Sequence, residues 1–93
     1  MEIEFNPQKN ARNIDERGLS FEQVREFDFE TALYVVDDRH DYGETRIRAL
    51  GFVGPRLHVL VFVEVPKGIR VISFRKANKR EVIGYGKTRE TER

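Results

Sequence analysis

The sequence predicts a small α+β domain in which helices pack on one face of a curved antiparallel sheet, in the order β-α-α-β-β-β-α. Three observations carry that expectation. Apolar residues in the first third follow helix caps at helical spacing, whereas from Thr45 they fall into β-branched runs. The connections between those runs are short Gly/Pro turns, which imply a meander of neighbouring antiparallel strands. Ninety-three residues with 39% hydrophobic content suffice for one core, close to the lower size limit for independent stability.

The elements follow in order. Met1 to Phe5 alternates as a short strand. Asn6 is a good N-cap and Pro7 loses no needed donor at the first helical position, so a helix starts there and ends at Gly18. Ser20 and Gln23 have capping-box spacing and open a second helix, whose stripe is Phe21, Val24 and Phe27. Leu33 to Val36 is a short apolar run before a polar loop from Asp37 to Gly43. Strands are predicted over Thr45–Val53, Leu57–Val65 and Ile69–Arg75, separated by Gly54-Pro55 and by Pro66-Lys67-Gly68. Asn78 and Glu81 form a cap pair for a last helix ending at Tyr85. Residues 1–85 then make one domain, and the polar residues 86–93 are expected to be a disordered tail.

Charge is high at 35% of residues, yet the net is only +1. Its distribution is uneven: Lys67, Arg70, Arg75, Lys76, Lys79 and Arg80 run without an acid until Glu81, while acids gather in the first half. The absence of cysteine excludes disulfides, thiolate catalysis and Cys-based zinc sites, and suits a reducing cytosol. No long apolar segment or basic-then-apolar leader occurs, so neither a membrane span nor a secretory signal is expected.

Few residues offer chemistry. His40 lies in a polar loop, and an imidazole is the group suited to general acid–base work near neutrality. His58 alternates within an apolar strand and reads as structural. The adjacent Asp37, Asp38, His40 and Asp41 read as a solvated turn rather than a metal site. Glu44 and Arg46 share a face of the strand they begin; they read equally as a surface ion pair or as a phosphate-binding arginine with Glu44 as its holder or as a proton acceptor.

Arg70 and Arg75 would point to opposite faces of an unbroken strand, unless a bulge near Ser73 or an early strand end intervenes. Arginine cannot act as a base, but it binds phosphate and stabilises developing charge. Lys9 and Tyr85 are weaker candidates, reading first as surface and packing residues.

Across residues 3 to 85 the chain resembles the BrnT family, the toxins of BrnT/BrnA toxin–antitoxin modules. The matching pieces are Asn6-Pro7-x-Lys9 with Asn13, Gly18-Leu19-Ser20-Phe21-Glu22, and His40-x-x-Gly43-Glu44-x-Arg46 with Gly51. Arg70-Val71-Ile72-Ser73-x-Arg75-x-Ala77, Glu81 and Tyr85 complete them. Phe5, Asn6, Arg17 and Phe74 depart from the family's usual residues.

The resemblance implies a RelE-like fold and a metal-independent, cofactor-free cytoplasmic endoribonuclease that arrests growth. It implies an RNA substrate and a BrnA-like antitoxin partner, with operator DNA reached only through that antitoxin. Carried over by position, the catalytic candidates are His40, Glu44, Arg46, Arg70 and Arg75. Lys9, Lys76, Arg80 and Tyr85 are the candidates for substrate binding. The rival expectation is a non-catalytic member that binds its antitoxin and serves only in operon autoregulation.

Overall fold

Five strands form one sheet in the order β1-β5-β4-β3-β2 in the computed structural model, which describes residues 1–91. The strands are β1 (Glu2–Glu4), β2 (Leu33–Asp37), β3 (Arg46–Val53), β4 (Arg56–Val65) and β5 (Gly68–Lys76). The meander β2-β3-β4-β5 is antiparallel throughout, as the short turns require for its last three strands. β1 adds to the far edge in parallel with β5, pairing Ile3 with Ile69, so the sheet is mixed rather than wholly antiparallel. Its backbone approach is close: a Cβ on Gly68 would lie 2.0 Å from the Glu2 carbonyl oxygen.

The helices begin where the caps place them. Asn6 accepts from the backbone N–H groups of Gln8 and Lys9, and α1 (Pro7–Arg17) ends on Gly18 at φ 67°. Ser20 and Gln23 do form a reciprocal capping box, but the segment they open, Phe21–Glu26, is a 3₁₀ helix rather than an α-helix. The stripe Phe21, Val24, Phe27 explains why. Its spacing of three matches a helix with three residues per turn, whose side chains eclipse along one line.

Three further expectations are corrected. The run from Leu33 is itself a strand, β2, at the sheet edge, giving four strands after the helical segments rather than three. The last helix, α2 (Lys79–Thr91), continues six residues beyond Tyr85, so residues 86–91 of the expected tail are helical. Residues 92–93 of that tail lie outside the described residues. Finally, the helices occupy both faces of the sheet, not one.

Alternation along β4 separates the two faces. Leu60 and Phe62 point into the larger core with Leu19, Phe21, Val24, Phe27, Ala49, Ile69, Val71 and Phe74, beneath α1 and the 3₁₀ helix. Leu57 and Val59 point the other way and meet Ala77 and Tyr85 beside α2, with Leu33, Leu50 and Phe52 around them. Each such large side chain contributes about 1.5–3 kcal/mol when withdrawn from water.

Gly51 has no room for a side chain, because an added Cβ would lie 2.5 Å from the Phe27 ring. His58 is buried, as its place in an apolar strand suggests. It stacks on Phe74 at 5.1 Å, its Nδ1 donates to the Arg56 carbonyl oxygen, and burial pushes the imidazole's pKa down.

Candidate functional site

A bulge in β5 decides which residues meet. Val61 pairs with Ser73 but Phe62 pairs with Val71, so Ile72 is an extra residue inserted into the ladder. Arg70 therefore lies opposite Val63 and Arg75 opposite Val59. Val59 and Val63 share a face of β4, and directly opposed residues project to the same side. Of the alternatives the sequence leaves open, the chain adopts the bulge. Both guanidiniums stand on the face that α2 only partly covers.

On that face Glu44 gathers two arginines. Its carboxylate accepts from Arg46 Nε at 3.2 Å and from an Arg70 terminal nitrogen at 2.5 Å. Partial burial pushes Glu44 up, but the hydrogen bonds and charges of the two guanidiniums outweigh it and hold the carboxyl below its usual range. Arg46 also lies 3.9 Å over the Tyr42 ring, against which the exposed His40 ring stands edge-on at 5.7 Å. His40, Tyr42, Arg46, Glu44 and Arg70 thus form one chain of contacts.

Glu81 performs a similar task for Arg75. It takes that guanidinium in a two-pronged bond, at 2.8 and 2.9 Å, and also accepts from the Asn78 backbone N–H at the start of α2. The Arg75 hydrogen bond pulls Glu81 below its usual range. Asp37, buried at the end of β2, is gripped in the same manner by Arg39 at 2.7 and 2.8 Å. That bond, against the opposing effect of burial, lowers the Asp37 carboxyl to about 2.

Other candidates are dispersed. Lys9 lies on α1, where it borders a separate cleft of about 190 Å³ with Arg12, Arg17 and the bulged Ile72. Lys76 lines a neighbouring cleft with Arg17 and Arg75. Arg80 is exposed in the first turn of α2. Tyr85 leaves the substrate-binding set: it is buried, its hydroxyl donates to the Thr31 carbonyl oxygen at 2.8 Å, and its ring meets Phe52. It packs α2 onto the sheet.

The sequence did not single out Arg39, Tyr42 or Arg48, which the structure brings to this face, and it gave Glu81 as a cap and as part of the family resemblance. Arg48 had a signal, standing two residues from Arg46 in a strand and so on the same face. No spacing rule links Arg39 to Asp37 or Tyr42 to Arg46, because the loop between β2 and β3 sets those contacts.

The sequence model of the family described as "Ribonuclease toxin, BrnT, of type II toxin-antitoxin system" matches residues 5–81. The chain belongs to the BrnT family. No curated protein and no solved structure matches it. The BrnT match spans every element except β1 and most of α2, and so takes in Glu44, the arginine-bearing strands and Glu81. BrnT proteins are ribonuclease toxins of type II toxin–antitoxin systems.

Proposed function

We propose that this BrnT-family chain is a cytoplasmic, metal-independent endoribonuclease toxin of RelE-like fold, held silent by a BrnA-like antitoxin. That antitoxin would also carry any contact with operator DNA. The observation that carries this reading is the assembly of Arg46, Arg70 and Arg75 on one partly open face, the first two held by Glu44 and the third by Glu81. Guanidiniums held this way are pre-positioned for phosphate oxygens and supply fixed positive charge.

In the proposed reaction the ribose 2′-hydroxyl attacks the adjacent phosphorus. A new 2′-oxygen–phosphorus bond forms, the bond to the 5′-oxygen breaks, and the products carry a 2′,3′-cyclic phosphate and a 5′-hydroxyl. His40 takes the 2′-hydroxyl proton, and the departing 5′-oxygen is protonated from solvent. Glu44 is the weaker base of the two candidates, since two guanidiniums stabilise its charged form. Its role is to orient Arg46 and Arg70. Those arginines and Arg75 bind the phosphate and the charge that builds on it.

The test uses a defined RNA in excess chelator, beside the same RNA with one 2′-deoxy nucleotide at the cleavage site. The expected result is cleavage of the first to cyclic-phosphate ends and survival of the second. Cleavage of the deoxy substrate, or of neither, contradicts the mechanism. A non-catalytic, antitoxin-binding member would leave growth unaffected when expressed alone, whereas the ribonuclease arrests it.

A further inference from the structure

Arg48 differs from every other arginine on this face. Arg39, Arg46, Arg70 and Arg75 each bond a carboxylate, whereas no carboxylate of the described residues bonds Arg48. Its Nε is also the buried side-chain nitrogen that finds no hydrogen-bond partner among the described residues. A buried guanidinium N–H without an acceptor is costly, and such a group in a native fold calls for an explanation.

Its place is central. Arg48 lies opposite Val61 on β4 and opposite Val35 on β2. Val61 is midway between Val63, the partner of Arg70, and Val59, the partner of Arg75. Four residues of strand separate those two arginine positions, a span of roughly 13 Å. The consecutive phosphates of an extended strand can follow that span. Arg48 fills the interval. Asp37 and Glu81 feel its charge, but they bond Arg39 and Arg75 and neither bonds Arg48.

We infer that Arg48 is a phosphate-binding residue of the RNA site, whose guanidinium takes an oxygen of a backbone phosphate running between Arg70 and Arg75. This rests on the ribonuclease reading and names a binding position within it. It makes the substrate an extended single strand that lays more than one phosphate across the face. The surrounding charge agrees, since Arg39, Arg46, Arg48, Arg70 and Arg75 outnumber Asp37, Glu44 and Glu81.

The experiment measures binding of a short fluorescein-labelled 2′-O-methyl oligoribonucleotide, which lacks the attacking hydroxyl, by anisotropy over a range of salt. Wild type, Arg48→Met, Arg48→Lys and the distant surface control Arg25→Met are compared, with a thermal melt of each. Loss of one phosphate contact lowers the slope of log K against log salt by about 0.7 for a single strand. Arg48→Met is expected to show that drop and at least about ten-fold weaker binding, with a melting temperature no lower than wild type. Arg25→Met is expected to keep the wild-type slope.

Wild-type slope and affinity in Arg48→Met would overturn the inference and leave the position to a carboxylate of a protein partner. A lowered melting temperature with unchanged RNA binding would overturn it in favour of a purely structural arginine. If Arg48→Met fails to fold, Arg48→Lys decides: it keeps the charge but not the guanidinium. Weaker binding at an unchanged slope supports the inference, and wild-type affinity overturns it. Should wild type itself bind no oligonucleotide, the ribonuclease reading falls with it; should wild type bind and Arg48→Met match it, only this inference falls.

Discussion

The two faces of the sheet are made from the same strands and have opposite characters. Beneath α1 and the 3₁₀ helix, Ala49, Leu60, Phe62, Val71 and Phe74 build a dry core. On the other face the alternate positions of β3 and β5 carry Arg46, Arg48, Arg70 and Arg75, and α2 covers only one end. A strand has no say in which neighbour covers each side, so the covering helices determine which alternate residues can be charged. Stability and chemistry can therefore be separated by face within single strands. Neighbouring residues such as Phe74 and Arg75 then fall into different energetic classes.

The largest effect expected on the charged face is from His40→Ala, which removes the proposed base. It should lower the cleavage rate constant by about 10²–10⁴-fold and leave the melting temperature unchanged, because His40 is exposed. Single-turnover kinetics and a thermal melt measure both. An unchanged rate would move the proton to another group.

On the apolar face Phe74→Ala should do the reverse. The side chain is fully buried, and its loss should destabilise the fold by about 3–5 kcal/mol in denaturant titration. Activity per folded molecule should persist. A small stability loss here would break the contrast.

A pH titration sharpens it from the charged side. Asp37 falls from an ordinary 3.8 to about 2 in the fold. A carboxyl lowered by folding contributes stability that is present above its unfolded value and lost as pH falls through the folded one. The contribution of the Asp37–Arg39 pair should therefore disappear between about pH 4 and pH 2. Asp37→Asn should flatten the pH dependence of unfolding in that window.

The smallest expected effect is from Glu81→Gln, which loosens both the α2 cap and Arg75. About 1 kcal/mol of stability should be lost, with weaker RNA binding as Arg75 loses its anchor. Wild-type binding by this variant would mean that Arg75 does not depend on Glu81 for its position.

How much of this was legible in the sequence depended on the range of each interaction. The caps at Asn6, Gly18, Ser20 and Asn78 are local and were readable as such. So were the strands bounded by Gly54 and Gly68. The parallel docking of Ile3 on Ile69 joins residues at opposite ends of the chain, and no local pattern announces it.

The site divides in the same way. Glu44 and Arg46 could be paired by strand period, and the question posed by Arg70 and Arg75 was visible even though its answer was not. The answer depended on Ile72, an ordinary strand residue whose bulge exists only in register with β4. Arg48 was readable as a face-mate of Arg46, but that no carboxylate of the described residues bonds it is a property of three dimensions.

The central claim is that the charged face acts on RNA as a unit. The most direct test incubates purified wild type and the Arg70→Ala/Arg75→Ala double variant with one defined RNA in excess EDTA, after both are shown to melt cooperatively. The account predicts cleavage by wild type and a loss of about 10²–10³-fold or more in the variant. Equal cleavage by the two folded proteins would contradict it.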